Sequence, residues 1–238
     1  MGATDAFELL PPTDEDLAAA NAAWRDGRLV HEISSDTRWW RIVRAHSSKE
    51  ALEYAKVCYA SDKNNRFTPV YVAGRIVPAA YAGSRREISL WEGVLRGIRH
   101  EGVRRVPQHE VADRYLVETR VRRSLKLVEL RRPGDVNVVA PGKHPPDLTA
   151  AWPHKYPSTR KWAQELYTRL PDIDGLIYES HQVPGDCIVL FQPKKPDAFI
   201  PCGEAQIVSS EPVRTTLRDE AKRAGAIVDF GEFPDPPV

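Results

Sequence analysis

Apolar positions along the chain change spacing several times, and each change predicts an element. Thr13 precedes an Ala-rich stretch, Asp14 to Trp24, that Asp26-Gly27 ends, which predicts a short helix with a side-chain cap. Trp39, Trp40, Arg41, Ile42 and Val43 form a β-prone run. Ser47-Ser48 then opens a helical pattern through Ala51, Leu52, Ala55 and Cys58. After the polar residues Ser61 to Asn65 come Arg66-Phe67 and two strand-like runs, Val70 to Ala73 and Ile76 to Ala82.

Ser84-Arg85-Arg86-Glu87 fits a capping box and predicts a helix from Arg85 to His100. Its stripe is Ile88, Trp91, Leu95 and Ile98, with Glu92 beside it. Arg114 to Leu130 reads as one long strand or two shorter ones, and the Pro- and Gly-rich link Pro133 to Pro157 is the candidate boundary. Trp162, Leu166 and Leu170 mark a helix ended by Pro171, and Asp174-Gly175 turns the chain into the strand Leu176 to Tyr178. A partner strand follows at Cys187 to Phe191, then a loop over 192–203 and a final helix from Val213 to Ala224. The alternation predicts an α/β or α+β domain. Residues 1–35 are expected as an N-terminal helical appendage, 36–230 as the main domain and 231–238 as a frayed tail.

At 238 residues, with 42% hydrophobic and 28% charged side chains, the chain suits one enzyme-sized unit with a real core. Basic and acidic side chains number 34 and 33, so no global field draws it onto nucleic acid, and an anionic ligand must be met by local arginines. No apolar run approaches the roughly 20 residues that cross a bilayer. The acidic N-terminus is unlike a signal peptide, so a cytoplasmic location is expected. Cys58, Cys187 and Cys202 lack metal-ligand spacing and are read as reduced structural residues, with no metal and no resident cofactor expected.

Phosphate loops, the G-x-S-x-G elbow and H-E-x-x-H are missing. What stands out is an ordered set: Trp40-Arg41-Ile-Val-Arg44, Asn65-Arg66-Phe67, Ala80-Tyr81-Ala-Gly-Ser84, Ser89-Leu-Trp-Glu92, Asp174-Gly-Leu-Ile-Tyr178-Glu-Ser180, and Val189-Leu-Phe191. Over roughly Trp39 to Phe191 the sequence resembles the RES domain family, toxins of RES–Xre toxin–antitoxin pairs. The resemblance implies a single α+β domain like an ADP-ribosyltransferase, with short central strands flanked by helices, that consumes NAD+. It implies Glu92, Arg41 and Ser180 as catalytic residues and Arg66 and Tyr81 as substrate-binding residues. It also implies an Xre-type antitoxin as partner. One departure is the helical segment Lys49 to Ala60 and Asn64-Asn65, where the family has a glycine-rich approach to its second arginine.

The chemistry is coherent without the family. Nicotinamide leaves NAD+ as a neutral base, so one carboxylate that stabilises the oxocarbenium-like ribose suffices, and Glu92 on a rigid helix suits that role. Planar guanidinium groups pair with the two phosphates better than the nearby Lys63. Taken singly, each residue also has an ordinary reading. Glu92 is then a helix-edge carboxylate, Arg41 and Arg66 are surface ion pairs, Tyr81 is a core aromatic and Ser180 is a turn residue. Glu87, Glu101 and Glu179 are the neighbouring alternatives to Glu92. The expectation is an NAD+ glycohydrolase or phosphorylase that depletes NAD+, with water or phosphate as acceptor. ADP-ribosylation of a macromolecule and a non-catalytic nucleotide-binding module are the competing readings. Segments outside the resemblance are open to antitoxin or homo-oligomer contacts.

Overall fold

The chain alternates strands with helices. In order come α1 (Asp14–Arg25), β1 (Val30–Ile33), β2 (Arg38–Arg44), α2 (Ser48–Lys56), β3 (Val70–Val72), β4 (Arg75–Val77), β5 (Ala79–Gly83) and α3 (Arg86–Gly93). They continue with β6 (Arg104–Val106), β7 (Arg114–Val121), β8 (Leu125–Glu129), α4 (Tyr156–Arg169), β9 (Gly175–Glu179) and β10 (Asp186–Phe191). The last are β11 (Phe199–Pro201), β12 (Gln206–Ile207), α5 (Val213–Arg223) and β13 (Ala226–Val228). The structure, a computed structural model, describes residues 11–58, 65–97, 104–131, 148, 156–180, 182–191 and 199–231. The expected segments Ile98 to His100 and most of Pro133 to Pro157 lie outside these residues, as do Lys63, Glu101 and the tail beyond Gly231.

Nine strands form one mixed sheet in the order β1-β8-β9-β10-β5-β2-β7-β11, with β12 also beside β7. Only β8 and β9 run parallel within it. β7 and β8 have four strands between them, yet residues 122–124 alone connect them. A flat sheet would hold them roughly 24 Å apart, whereas that link reaches no more than about 14 Å. The sheet therefore curls over, and strands from both margins share one inner core of Ile33, Trp39, Leu125, Ile188 and Phe199. This is an α+β fold.

The outer face carries two further cores. Under α1 and α4 lie Trp24, Trp162, Leu166, Tyr178, Val189 and Phe191. Under α3 and α5 lie Trp91, Leu95, Leu116, Val213 and Leu217. Between these halves the ladder nearly stops, because β2 and β5 share a single pair, Trp40 with Gly83. Ser89 of α3 bridges that seam: its Oγ accepts the Gly83 N–H at 3.1 Å and donates to the Trp40 carbonyl at 2.6 Å. A side chain at Gly83 would put its Cβ 2.8 Å from this hydroxyl, so the close approach requires glycine.

Thr13 caps α1 through a reciprocal capping box with Asp16, as its position predicts. Other expectations are corrected. The Ser84–Glu87 box does not form: Ser84 Oγ instead accepts the Asp186 N–H at 3.2 Å, and α3 starts after Arg85 with no side-chain cap. α3 also ends at Gly93, which packs so tightly on Ile42 that a Cβ would lie 2.7 Å from it; a 3-10 turn, Leu95–Gly97, follows. Phe199–Pro201 pairs with β7 where a loop was expected, and Cys58 lies beyond α2. The N-terminal segment, expected as an appendage, has its described part built into the fold. β1 pairs with β8, and Leu17, Ala20, Trp24 and Leu29 are buried.

Candidate active site

α3 spans the seam, with Ile88 in one outer core and Leu90 and Trp91 in the other, and it carries Glu92 in its last turn. Below Glu92 is a cavity of about 190 Å³ lined in part by Asn65, Tyr81, Glu92, Arg96, Tyr178 and Cys187. Ser180 follows β9 directly and is buried, its backbone N–H tied to the Gly185 carbonyl at 2.8 Å. Its hydroxyl accepts the Gln182 N–H at 3.3 Å and donates to Glu92 Oε1 at 2.9 Å. The other carboxylate oxygen, Oε2, is buried without a hydrogen bond and lies 3.6 Å from Arg96 Nη1.

Tyr81 points from β5 to the same face, where its hydroxyl accepts the Phe67 N–H at 3.2 Å and lies 3.3 Å from Thr68 Oγ1. These bonds pin the segment that presents Arg66, whose carbonyl in turn accepts the Thr159 hydroxyl from α4. The Arg66 guanidinium sits over the Tyr178 ring, 5.5 Å from its centroid. It is 3% exposed, and its Nε and Nη1 have no hydrogen-bond partner. Buried polar groups in folded proteins are nearly always paired, and here one carboxylate oxygen and two guanidinium nitrogens lack a hydrogen bond.

Electrostatics follow from this burial. Desolvation pushes the Tyr178 hydroxyl and the Cys187 thiol well above their usual values, and the Glu92 carboxylate adds to both while Arg66 opposes. Burial likewise raises Tyr81, with the Thr68 bond opposing. For Arg96, burial works against the charge, but Glu92 and the Tyr156 hydroxyl outweigh it and hold the guanidinium more firmly protonated. Three of the expected residues therefore converge with Glu92: Ser180, Tyr81 and Arg66.

Arg41 does not join them. Trp40 and Ile42 face α3 and line its core and cavity, so strand alternation puts Arg41 on the inner face with Trp39. There its Nη1 donates to the Ala55 and Val57 carbonyls at 2.5 and 3.1 Å, and its guanidinium lies 4.9 Å from the Phe199 ring centroid. It fastens the C-terminus of α2, where free carbonyls attract a cation. Of the alternatives, Glu179 is exposed and Glu87 sits in the first turn of α3, away from the cavity lining.

Sequence reasoning missed Arg96, Tyr156 and Asn65. A signal for Arg96 was available, because Glu92 and Arg96 stand four residues apart at the end of an amphipathic helix. Tyr156 carried none, since its contact depends on how α4 docks. Among the described residues no group of three His, Cys, Asp or Glu side chains is placed to hold a metal, and no helix is long and apolar enough to cross a membrane.

Fold and site together describe an α+β protein with a largely buried carboxylate–hydroxyl pair over a small cavity. Neither family models nor curated protein sequences match the chain. Among solved structures, its fold is similar to a chain of the M. tuberculosis MbcT-MbcA toxin-antitoxin complex, with a TM-score of 0.55 and 14% identity. The match covers 82% of this chain and 92% of that one. At that identity the likeness establishes a shared fold.

Proposed function

We propose that this protein is an NAD+-degrading enzyme, like an ADP-ribosyltransferase in its site chemistry, that acts as the cytoplasmic toxin of a toxin–antitoxin pair. The observation that carries the reading is the pairing of Glu92 and Arg66 beside one cavity. Arg66 is buried and Glu92 largely so, and each keeps buried polar atoms without a hydrogen bond. The Glu92 carboxylate, held through Oε1 by Ser180, keeps Oε2 for the ribose hydroxyls of the substrate. Arg66 supplies a planar pair of donors for a phosphate. Tyr81 and Tyr178 give the flat aromatic walls that a nicotinamide ring suits.

In the reaction the ribose–nicotinamide C–N bond breaks and its electron pair leaves with the nicotinamide nitrogen, which becomes neutral. The positive charge that grows on the sugar is met by the fixed Glu92 anion, an interaction stronger in the transition state than in the ground state. Water or inorganic phosphate then bonds to the sugar carbon from the vacated side, and the proton that water sheds passes to solvent. The toxin role rests on the fold shared with a chain of a toxin–antitoxin complex, and an Xre-type antitoxin partner rests on the RES resemblance.

Purified protein should release nicotinamide from NAD+, followed by chromatography, and phosphorus NMR with and without added phosphate should identify the acceptor. Intact NAD+ after prolonged incubation, with normal folding and bound nucleotide, would leave only a binding module. Label retained on a macromolecule would favour ADP-ribose transfer.

A further inference from the structure

Arg96 lies one helical turn beyond Glu92, yet it does not form the ordinary surface pair of that spacing. The 3-10 turn Leu95–Gly97 replaces the helix, and the Arg96 side chain is only 19% exposed. Its Nε and Nη2 both donate to the Tyr156 hydroxyl, at 3.1 and 2.6 Å, and the guanidinium lies 5.0 Å from the ring centroid of the same tyrosine. Two of its three nitrogens are thus committed to α4. The third, Nη1, faces Glu92 Oε2 at 3.6 Å, beyond hydrogen-bond length. Ser180 holds the opposite oxygen.

We infer that Arg96, restrained by Tyr156, is the positioning residue for Glu92, steadying the carboxylate through its charge while being kept too far away to occupy Oε2. A guanidinium free to move would close on the carboxylate as a fork and take the oxygen that the ligand needs. Tyr156 prevents this by holding the two donors that such a fork would use. Glu92 is therefore gripped on one oxygen by a neutral hydroxyl and faced on the other by a restrained cation, which aims Oε2 into the cavity. The inference rests on the reading of Glu92 as the catalytic anion.

Steady-state NAD+ consumption by Arg96→Met, Arg96→Lys and Tyr156→Phe, with thermal melting of each, tests it. Arg96→Met should lower kcat about 100-fold and Tyr156→Phe about tenfold, with KM little changed in both, the scale of a misplaced catalytic group. Arg96→Lys keeps the charge and should recover part of the loss. A raised KM with kcat preserved would make Arg96 a substrate-binding group instead, and normal kcat in both Arg96→Met and Tyr156→Phe would reduce the arrangement to a structural pair. Either result overturns the inference. If Arg96→Met does not fold, Arg96→Lys and Tyr156→Phe decide by the same split. If wild-type protein consumes no NAD+, the functional proposal fails by itself. The positioning claim is then judged on crystal structures of wild type and Tyr156→Phe. Closure of Nη1 onto Oε2 to hydrogen-bond length in the variant supports it, and an unchanged separation ends it.

Discussion

The Ser180 hydroxyl donates to Glu92 Oε1 across 2.9 Å, and that bond joins the end of β9 to the last turn of α3. The partners come from opposite sides of the seam: β9 lies with β10 and β5, while Trp91, beside Glu92, packs into the core on β2 and β7. Both side chains are themselves restrained, Ser180 by the Gln182 and Gly185 backbone and Glu92 by a helix packed on two cores. Such preorganisation is what a charge-stabilising group needs, since it avoids reorganisation during the reaction.

Glu92→Gln keeps the shape and still accepts the Ser180 hydroxyl bond, but it removes the anion. Turnover should fall by at least about 100-fold while the melting temperature stays near wild type. Kinetics with a parallel thermal melt checks this, and near-normal turnover would displace Glu92 from the reaction.

Arg66→Met removes two donors, Nε and Nη1, that have no hydrogen-bond partner among the described residues. KM for NAD+ should rise about tenfold to a hundredfold, the equivalent of one or two charge-assisted hydrogen bonds, with a smaller change in kcat. Stability should hold or improve, because an unpaired buried cation is replaced by an apolar chain of similar length. Initial-rate measurements and a urea titration separate the two effects.

Arg41→Met should behave in the opposite way. It leaves the Ala55 and Val57 carbonyls without their donor and should cost about 2–4 kcal/mol of stability. KM for the folded fraction should be preserved. A raised KM at unchanged stability would bring Arg41 back to the substrate.

A pH-dependent part of stability resides at Glu129. Burial alone would raise its carboxyl pKa, but the Arg131 fork, the Arg131 backbone N–H and His31 outweigh burial and hold it below the usual carboxylate range. Arg131 also reaches Asp186 Oδ2 at 2.6 Å, so the group ties β8 to β10. A carboxyl with a depressed folded-state pKa contributes fully above its unfolded value, about 4.3. The contribution is lost as pH falls through the lower, folded value. Urea titrations from pH 7 to pH 3 should show Arg131→Met losing less stability with acid than wild type.

Local spacing made much of this fold legible, because caps and periodicity act within a few residues. Thr13, the Ala-rich helix α1 and the stripe of α4 are where their pattern places them, and so are β9 and β10. Glu92 and Ser180 came together only through the family resemblance, and the structure places them in hydrogen-bond contact. Misreadings came from long-range competition. The Ser84 hydroxyl accepts the amide N–H of Asp186, more than a hundred residues away, and no capping box survives that. The alternation around Arg41 was visible in Trp39 to Val43. Which face carries the site depends on where α3 lands, and that is a tertiary fact. Tyr156 belongs to the same class, since its hydroxyl matters only once α4 stands beside the turn after α3.

The single Trp40–Gly83 pair, with the Ser89 hydroxyl as its rivet, leaves the sheet a weak joint that the Glu92–Ser180 bond also crosses. Load on that joint therefore falls on the Glu92–Ser180 bond as well, because its two partners stand on opposite sides.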